Sequence, residues 1–411
     1  MTTPFLTRAA LALAFATSPW AQAATTLQEL YQKAEQTSER VQSAQLSIER
    51  QDYASQELKS KDAARINLKA ETDATRSRLG EAEWKSRAEP SLGVELRYPL
   101  YDGGANSAVL AGSEALKAAA SHDTSQEKLN LKLAVTRAFY EVLAAEADLK
   151  NLEASRSIYQ KRIATLEERQ RIGRSRTSEV QAASTQLQLL LAQIQQARTT
   201  KDLASYRLAW YTGLKQPFDL RDELAMDRLQ EAPKPLSAAT SPAAAAAAAR
   251  AKAAEQQIEK IRANTRPRID AIAAYTYTRP NELNSQKLSA GLGLTWTLYE
   301  AGETHAAIAG AGLDKEKALL SEREQLHQSE LDLRTVQENW RQGLDQLKSL
   351  EQAYTSSSKA LRTQQQDFDN GLITNLEIMQ ALDTQLQVKR TLDQTVFRLK
   401  QAYTETQLRS S

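Results

Sequence analysis

The chain has 411 residues, 53 basic and 51 acidic side chains, a formal net charge of +2 and no cysteine. The missing cysteines exclude disulfides, thiolate metal sites, catalytic thiols and attachment of a lipid to an N-terminal cysteine. The balanced charge indicates no nucleic-acid partner, and the scarcity of glycine (14) and proline (10) predicts long helices.

Residues 1–23 have the pattern of a secretory signal peptide. Arg8 is the only charged side chain in this segment, residues 9–17 form an apolar run, and Ala21-Gln22-Ala23 offers small residues for cleavage. The run is too short for a transmembrane helix. We therefore expect cleavage after Ala23 and a mature chain that begins at residue 24.

Residues 64–101 are predicted to form a β-hairpin. In its second strand, residues 91–101, apolar side chains occupy every other position: Leu92, Val94, Leu96, Tyr98 and Leu100. The first strand, about residues 66–73, alternates in the same way, which is the signature of a strand with one apolar face. Strands of about ten residues are long enough to cross a membrane at a tilt.

A long helix and a shorter return helix follow the hairpin. From about residue 113 to residue 172 the sequence has no proline and no glycine, and apolar residues recur at helical spacing. A helix of about 55 residues is roughly 80 Å long, which indicates a rod or a coiled coil. Gly173 marks the turn into a return helix over about residues 178–211, and this first repeat covers residues 24–214.

Residues 215–242 are predicted to be a linker with four prolines, and a second repeat covers residues 243–411. The second repeat starts with a helix after Pro242, in keeping with proline at the first helical position. Gly371 marks its tip turn. Its other elements are a hairpin at about 267–299, a long helix at about 313–370 and a return helix at about 376–407.

The two halves repeat each other at one fixed offset. Leu100-Tyr101-Asp102-Gly103-Gly104 recurs as Leu298-Tyr299-Glu300-Ala301-Gly302, where each hairpin joins its long helix, and Gly173 recurs at the same offset as Gly371. So long a repeat indicates a duplicated architectural unit. The predicted fold is mixed α and β, mainly α, with long coiled-coil helices and four strands. The strand-to-helix junctions are Asp102, Gly103, Gly104, Glu300 and Gly302.

The residues alone leave two arrangements open for the four strands. Four strands cannot close a barrel, and open sheet edges are not tolerated in lipid. Either they form a soluble sheet, as in a periplasmic coiled-coil scaffold or adaptor, or several chains contribute strands to one barrel. No catalytic residue, cofactor or metal is predicted, because the chain has no nucleophile–His–acid set and no phosphate loop. Its histidines are scattered: His122, His305 and His327.

The signal peptide, the tandem helix–hairpin–helix repeat and aromatic-Asp-Gly-Gly at residues 101–104 resemble the TolC family of outer-membrane efflux and secretion exit ducts. The segments that begin at Gly173 and Gly371 resemble that family's periplasmic tip turns. The resemblance implies a homotrimer whose three protomers supply twelve strands to one transmembrane barrel, continuous with an α-helical barrel in the periplasm. The linker would then contribute to an equatorial belt.

The same resemblance implies a function. The chain would be the outer-membrane channel of a tripartite efflux or type I secretion system, passively conducting small molecules or unfolded protein from an inner-membrane transporter to the exterior. Its other partners would be a periplasmic adaptor protein and outer-membrane lipid. The sequence does not specify the cargo. The alternative function is the soluble periplasmic scaffold or adaptor.

The resemblance also places a pore gate at the periplasmic tip. The family's acidic pair aligns with Glu377 and Gln380, so one charge remains, and Glu179 aligns with the acidic residue of the first tip. The arginine and tyrosine that latch the tip in family members align with Ile373 and Phe368, which form neither a salt bridge nor a hydroxyl hydrogen bond. We expect the closed state to be held by other contacts or to be weaker. The alternative for Glu377 is an ordinary first-turn residue that the helix dipole favours.

Overall fold

The computed structural model describes residues 25–77, 85–231, 238, 241–279 and 285–410, and of residues 75–77 and 85–89 only the backbone. The predicted signal peptide lies outside the described residues, as do both hairpin tips. The helices are α1 (Leu27–Thr37), α2 (Glu39–Ser60), α3 (Ala105–Arg171), α4 (Thr177–Thr212), α5 (Pro242–Ala263), α6 (Glu303–Asp369) and α7 (Asn375–Ser410). The strands are β1 (Thr25–Thr26), β2 (Arg65–Ser77), β3 (Lys85–Tyr101), β4 (Leu220–Arg221), β5 (Arg268–Thr278) and β6 (Ser285–Thr295).

The helices of the two halves match in length and spacing, which confirms the tandem repeat. α3 and α6 have 67 residues each, α4 and α7 have 36 each, and both pairs are separated by the same offset as the repeated sequence motifs. α2 and α5 have 22 residues each, and their offset is larger by five. This difference falls in the hairpins, where β2 and β3 have 13 and 17 residues against 11 and 11 for β5 and β6.

The long helices extend further than the sequence pattern indicated. At about 1.5 Å per residue, the 67 residues of α3 span about 100 Å. We predicted a start near residue 113 because of Gly112, but α3 begins at Ala105 and continues through Gly112. A Cβ atom at Gly112 would lie 3.4 Å from the Cβ of Gln256, so the missing side chain lets α5 pack close to α3.

The helices lie side by side in a different order at the two ends of the molecule. Next to the sheet the order is α2–α3–α5–α6, and toward the tip it is α4–α3–α7–α6. α3 is therefore central, whereas α6 forms one edge and α2 with α4 form the other. Burial agrees with this order, because α3 buries seventeen residues and α6, of equal length, buries four.

The core between the helices follows coiled-coil spacing. In α3, Leu152, Tyr159 and Leu166 are seven residues apart, and each is at most 2% exposed in a cluster with α4 and α7. Seven-residue spacing keeps one stripe of a helix facing its partners over many turns. In the described part of the chain, no helix combines the length and the apolar character that a membrane crossing requires.

The linker contacts strand β1 and the helices α6 and α7. Its strand β4 pairs in parallel with β1 at the N-terminus. Lys400 Nζ of α7 lies 2.5 Å from the Asp222 carboxylate, and Trp340 Nε1 of α6 donates a hydrogen bond to the carbonyl of Leu229 at 3.0 Å. These contacts hold the linker against α6 and α7.

Strands β2, β3, β5 and β6 form one antiparallel sheet in that order. We predicted that the last strand continues to Leu298, and this was wrong by three residues. β6 ends at Thr295, which pairs with Arg268, the first residue of β5. Residues 296–300 extend past the start of β5 and pair with no strand among the described residues.

Candidate functional site

The four-stranded sheet has one apolar face. Cross-strand partners lie on the same face, and the register groups these side chains: Ile66, Leu68, Leu92, Val94, Leu96, Tyr98, Tyr275, Leu288, Leu292 and Leu294. The face is uncovered, because Leu288, Leu292 and Leu294 are 81%, 74% and 65% exposed. A contiguous exposed apolar surface of this kind is typical of a membrane or protein contact.

The opposite face of the sheet is polar. Apart from Ile272, its side chains are polar or small and include Arg65, Asn67, Lys69, Glu95, Arg97, Thr276, Ser289 and Lys287. Lys69 and Arg97 both form ion pairs with Glu95, at 2.7 Å and 3.1 Å. This face is compatible with water, so the two faces of the sheet suit different environments.

The first strand-to-helix junction is a tight turn capped by its own carboxylate. Gly103 and Gly104 have φ values of +73° and +88°, which side chains other than glycine rarely adopt. Asp102 accepts hydrogen bonds from the backbone N–H groups of Gly104 at 2.9 Å and Asn106 at 2.5 Å. These bonds satisfy free donors at the start of α3. Arg266 Nη1 donates to the Gly103 carbonyl at 2.7 Å and attaches the junction to the second repeat.

The second junction keeps the turn but not the cap. Gly302 has a φ of +89°, and Ala301 takes a left-handed conformation with a φ of +48°. Glu300 accepts a hydrogen bond from the side chain of Thr304, and no backbone N–H of α6 donates to it in the described part of the chain. The two junctions therefore share a backbone shape and differ in how the following helix begins.

Gly173 and Gly371 form the turns at the far ends of the two helical hairpins. Their φ values are +75° and +76°. No heavy atom lies within 4 Å of the place where a Cβ would be. The requirement for glycine is therefore conformational, as at the ends of many helices.

Glu179 and Glu377 cap the return helices at equivalent positions. The Glu377 carboxylate accepts hydrogen bonds from the backbone N–H and the hydroxyl of Thr374, at 2.7 Å and 2.9 Å. These bonds, the backbone one foremost, lower the pKa of Glu377. Glu179 accepts from the Ser175 hydroxyl at 2.5 Å and from the Arg176 N–H at 3.2 Å. Both acids thus stabilise a helix start, in the manner of a capping box.

Phe368 is held between two guanidinium groups of the other hairpin. Its ring, 7% exposed at the end of α6, lies 3.8 Å from Arg162 Cζ and 4.3 Å from Arg169 Cζ of α3. Arg162 Nε donates to Asn375 Oδ1 at 2.9 Å, and Arg169 Nη2 lies 3.4 Å from Asp369 Oδ1. We call these five residues the tip clasp. The clasp joins the α3–α4 hairpin to the α6–α7 hairpin.

Arg162 is a buried cation in this clasp. Burial lowers the pKa of Arg162 to about 10, with Arg169 acting in the same direction, so the guanidinium stays charged at neutral pH. Its Nη2 atom has no hydrogen-bond partner within the described residues. A buried charge is costly without compensation. The electron-rich face of Phe368, the amide of Asn375 and the charges of Asp369 and Glu179 stabilise the guanidinium.

The other tip residues predicted from the sequence lie around the clasp. Ile373 is partly buried against the apolar cluster of α3, α4 and α7. Gln380 and Glu377 lie on the surface of α7. The structure therefore brings Phe368 and Ile373 into the contact between the hairpins and leaves Glu377 and Gln380 exposed.

Sequence reasoning missed Arg162 and Arg169, although a signal was present. Each lies three residues after a core residue of α3, Arg162 after Tyr159 and Arg169 after Leu166. Positions spaced three and four residues apart are the two core positions of a coiled coil. A charged residue at such a position needs a specific partner, and this could have directed attention to the clasp.

Comparison with known proteins decides the family. The model of a family described as outer membrane efflux protein matches residues 30–214 and 235–410. The chain belongs to the outer membrane efflux protein family. This result confirms the resemblance to TolC-like exit ducts.

Solved structures share the fold of this efflux protein over nearly the whole chain. The outer membrane protein VceC of Vibrio cholerae has a TM-score of 0.77 and 18% identity, covering 93% of this chain and 94% of its own. The open-state outer membrane channel MtrE of Neisseria gonorrhoeae has a TM-score of 0.76 and 16% identity, and the match covers 93% of this chain and 88% of that chain. A membrane protein from Pseudomonas aeruginosa has a TM-score of 0.81 and 15% identity, and the match covers 97% of this chain and 99% of that chain. No match was found among curated protein sequences.

Family membership gives the location and the function. The protein is an efflux duct of the outer membrane whose helical part lies in the periplasm, and the soluble scaffold is not favoured. The family consists of channel proteins, not enzymes. The exposed apolar face of the sheet agrees with this location, because it is the part of the protein suited to contact lipid.

Proposed function

We propose that three copies of this efflux protein form one passive duct, with a twelve-stranded barrel in the outer membrane above a barrel of helices. The observation that carries the proposal is a sheet with an apolar face, a polar face and unpaired edges at β2 and β6. Unpaired edges are not tolerated in lipid. Three sheets close into one barrel when each β6 pairs with the β2 of the next protomer.

The helices support the same closure. Both edge helices have large apolar side chains that the described part of the protomer leaves exposed: Leu313, Leu320 and Leu331 on α6, and Leu203, Tyr206 and Trp210 on α4. In a closed ring the α6 edge of one protomer meets the α2–α4 edge of the next. That contact would remove these side chains from water, which favours assembly.

Charges at the tip are complementary between the same two edges. Arg174 and Arg176 precede α4, and Asp367 and Asp369 end α6. Arg176 at the start of α4 and the two aspartates at the end of α6 oppose the dipoles of their helices, so an external partner is the better explanation for their positions. Asp369 already pairs with Arg169. We infer that Arg174 and Arg176 of one protomer face Asp367 of the next and help to close the tip.

We assign the gate to this tip. Phe368 and Ile373 hold the two hairpins of one protomer together, and Gly173 and Gly371 shape their ends. Glu377 of three protomers would form an acidic ring in which the carboxylates repel one another and attract cations, with the neutral Gln380 one turn further along α7. Glu179 supports the adjacent helix start. We propose no catalytic role for any of them.

The duct would act in a tripartite efflux or type I secretion system. An inner-membrane transporter supplies the cargo and a periplasmic adaptor bridges it to the tip, where the gate opens. The duct itself conducts small molecules or unfolded protein without chemistry. Residues 1–23 would direct export and be removed, and residues 215–242 would contribute to an equatorial belt around the helices.

The barrel is tested by placing the same charge on each face of β6. Leu294→Arg puts a cation on the apolar face near the end of β6, and a lipid-facing charge in such barrels costs up to about 2–4 kcal/mol, the cost falling from the midplane toward the membrane surfaces. Ser289→Arg puts it on the polar face of the same strand. We expect outer-membrane trimers that resist detergent until heated from Ser289→Arg and the wild type, and few from Leu294→Arg. Equal trimer yields from the two variants would refute the barrel.

The tip contact is tested by charge reversal and rescue. Arg176→Glu should raise the frequency of spontaneous openings in planar bilayers, because it places like charges beside Asp367 of the next protomer. Adding Asp367→Arg should restore the wild-type frequency. If the double variant opens as often as the single one, the two residues do not meet.

A further inference from the structure

The two repeats pack their helices through equivalent side chains. Lys117 of α3 lies 2.5 Å from the carboxylate of Asp52 on α2. The matching residues of the second repeat, Lys315 of α6 and Glu255 of α5, form an ion pair at 2.9 Å. The α2–α3 pair and the α5–α6 pair are therefore the same packing unit, and positions in one can be matched with positions in the other.

The matched faces of α3 and α6 differ in what covers them. Gly112 of α3 lies in the contact with α5, where a Cβ atom would be 3.4 Å from the Cβ of Gln256. Gly310 is the residue of α6 that corresponds to Gly112, and this side of α6 is an edge of the protomer. Among the described residues, no atom lies within 4 Å of a Cβ placed at Gly310. Gly310 is therefore an unfilled hollow at the edge of the protomer.

Helix α2 has the side chains that suit this hollow. In the repeat, α2 corresponds to α5, and Tyr53 of α2 corresponds to Gln256, the residue that meets Gly112. Tyr53 is 70% exposed, and Leu46 on the same helix is 62% exposed. Residues seven positions apart lie on one face of a helix. The face of α2 that matches the buried face of α5 is thus an exposed apolar stripe.

Charged residues agree with a repeat of the α3 contacts between protomers. Four ion pairs join α3 to the second repeat within the described residues. At the positions that match two of these pairs, both charges are absent together: Asp123–Arg250 corresponds to Ser321 and Ser47, and Asp148–Arg390 corresponds to Gln346 and Ala192.

The other two ion pairs also leave no charge without a partner. Arg169–Asp369 corresponds to Asp367 and Arg171, so the two signs are exchanged and the attraction is kept. Arg137–Glu405 corresponds to Thr335 and Arg207, and Arg207 already pairs with Glu141 of its own protomer at 2.5 Å. At all these positions, the edge of one protomer is compatible with the opposite edge of the next.

We propose that α6 of one protomer binds α2 of the next as α3 binds α5, with Tyr53 of the next protomer packed over Gly310. The partner is a second copy of this chain. The inference rests on the proposed function, because this contact between opposite edges closes only in a ring. It adds the register, since the match of Gly310 to Gly112 sets which residues of the two protomers meet. A methyl group would just fit at the distance found at Gly112, and a larger side chain would not.

Cysteine cross-linking tests the contact, because the chain has no cysteine of its own. Disulfides join residues whose Cβ atoms are about 3.5–4.5 Å apart, close to the distance at Gly112. After mild oxidation of outer membranes, the double variant Tyr53→Cys/Gly310→Cys should give covalent dimers and trimers on non-reducing gels. As a positive control, Gly112→Cys/Gln256→Cys should form a disulfide within one chain.

The matched negative control uses a second glycine of the same helix. Gly312 corresponds to Glu114, an exposed residue of α3, so Tyr53→Cys/Gly312→Cys should give no covalent oligomer. A further measurement does not depend on disulfide geometry. Gly310→Leu should lower the yield of trimers about tenfold through overpacking of a close helix contact, whereas Gly312→Leu should leave the yield unchanged.

The outcomes separate this inference from the proposed function. Trimers that resist detergent but show no cross-link between residues 53 and 310 overturn the contact and leave the duct in place. Equal cross-linking through residue 312, or equal trimer yields from the two leucine variants, also overturns it. A covalent ladder that extends beyond three chains retains the contact and refutes the closed trimer. A monomer without any cross-link refutes both.

Discussion

Replacing Phe368 with leucine should loosen the tip, and the structure gives the size of the effect. The leucine keeps an apolar side chain in the cluster but has no π face for Arg162 and Arg169, which lie 3.8 Å and 4.3 Å from the ring centre. A desolvated cation–π contact contributes about 2 kcal/mol and a more exposed one about 0.5–1 kcal/mol. Arg162 is buried, whereas the Arg169 side chain is 28% exposed. The loss is therefore about 2.5 kcal/mol per protomer.

That loss should be visible as channel opening. About 2.5 kcal/mol corresponds to a roughly 60-fold larger population of parted hairpins, measured as spontaneous openings in planar bilayers. The matched control is Phe397→Leu, the same change in a partly buried ring of α7. Within the described residues, no cation lies over that ring. If Phe368→Leu opens no more often than Phe397→Leu, the clasp does not hold the tip closed.

A double-mutant cycle separates the clasp from general loss of packing. Arg162→Leu removes the buried guanidinium and with it the closer of the two cations over the Phe368 ring. If the two residues act together, the double variant with Phe368→Leu should open less often than the two single effects added together predict. Additive effects of the two substitutions on opening would show that Phe368 acts independently of Arg162.

Five further substitutions test the turns and caps. Gly371→Ala should lower the free energy of unfolding by about 1–2 kcal/mol, because Gly371 has a left-handed conformation. Its control, Gly310→Ala within α6, should raise that free energy by up to about 1 kcal/mol. Chemical denaturation measures both changes. Asp102→Ala should cost about 1 kcal/mol through loss of a helix cap, and Glu300→Ala less, because Glu300 caps no backbone group. Glu377 has a lowered pKa, so its stabilising contribution is present above the ordinary glutamate pKa and is lost as the pH falls through the lowered value. Glu377→Gln should remove this pH dependence of the melting temperature. If the variant loses stability in acid as the wild type does, the cap is contradicted.

The repeat and the turns could be predicted from the sequence because they depend on local rules. Gly173 and Gly371 interrupt helical patterns at equivalent places, and a positive φ needs glycine whatever the surroundings. The two faces of the sheet could be predicted for the same reason, since alternation fixes which side chains lie together. The ends of the elements were less predictable. Gly112 suggested a helix boundary, but α3 continues through it. The glycine is there because α5 packs close to α3 at this point.

The tip clasp could not be predicted because it depends on which helices meet. Its cationic and aromatic groups come from opposite halves of the chain, Arg162 and Arg169 from the first repeat and Phe368 from the second. The resemblance to family members directed attention to residues 368 and 373, which cannot form the arginine–tyrosine latch of that family. It could not indicate the clasp, because the charges of the clasp are on α3 and not on the second tip.

The contact between the two hairpins also restricts how the tip opens. Along α3 and α7, Arg390 binds Asp148 through two hydrogen bonds of 2.6 Å and 2.9 Å, and Asn151 donates to Asp393 at 2.7 Å. These groups are half-buried or more. Sliding one hairpin along the other by a helical turn would separate all these pairs together and leave charges without partners in partly dry surroundings, which costs more than the pairs contribute. Parting only at the tip breaks the clasp and the apolar contacts beside it but leaves the Asp148 pairs intact, so we expect the hairpins to hinge and not to slide.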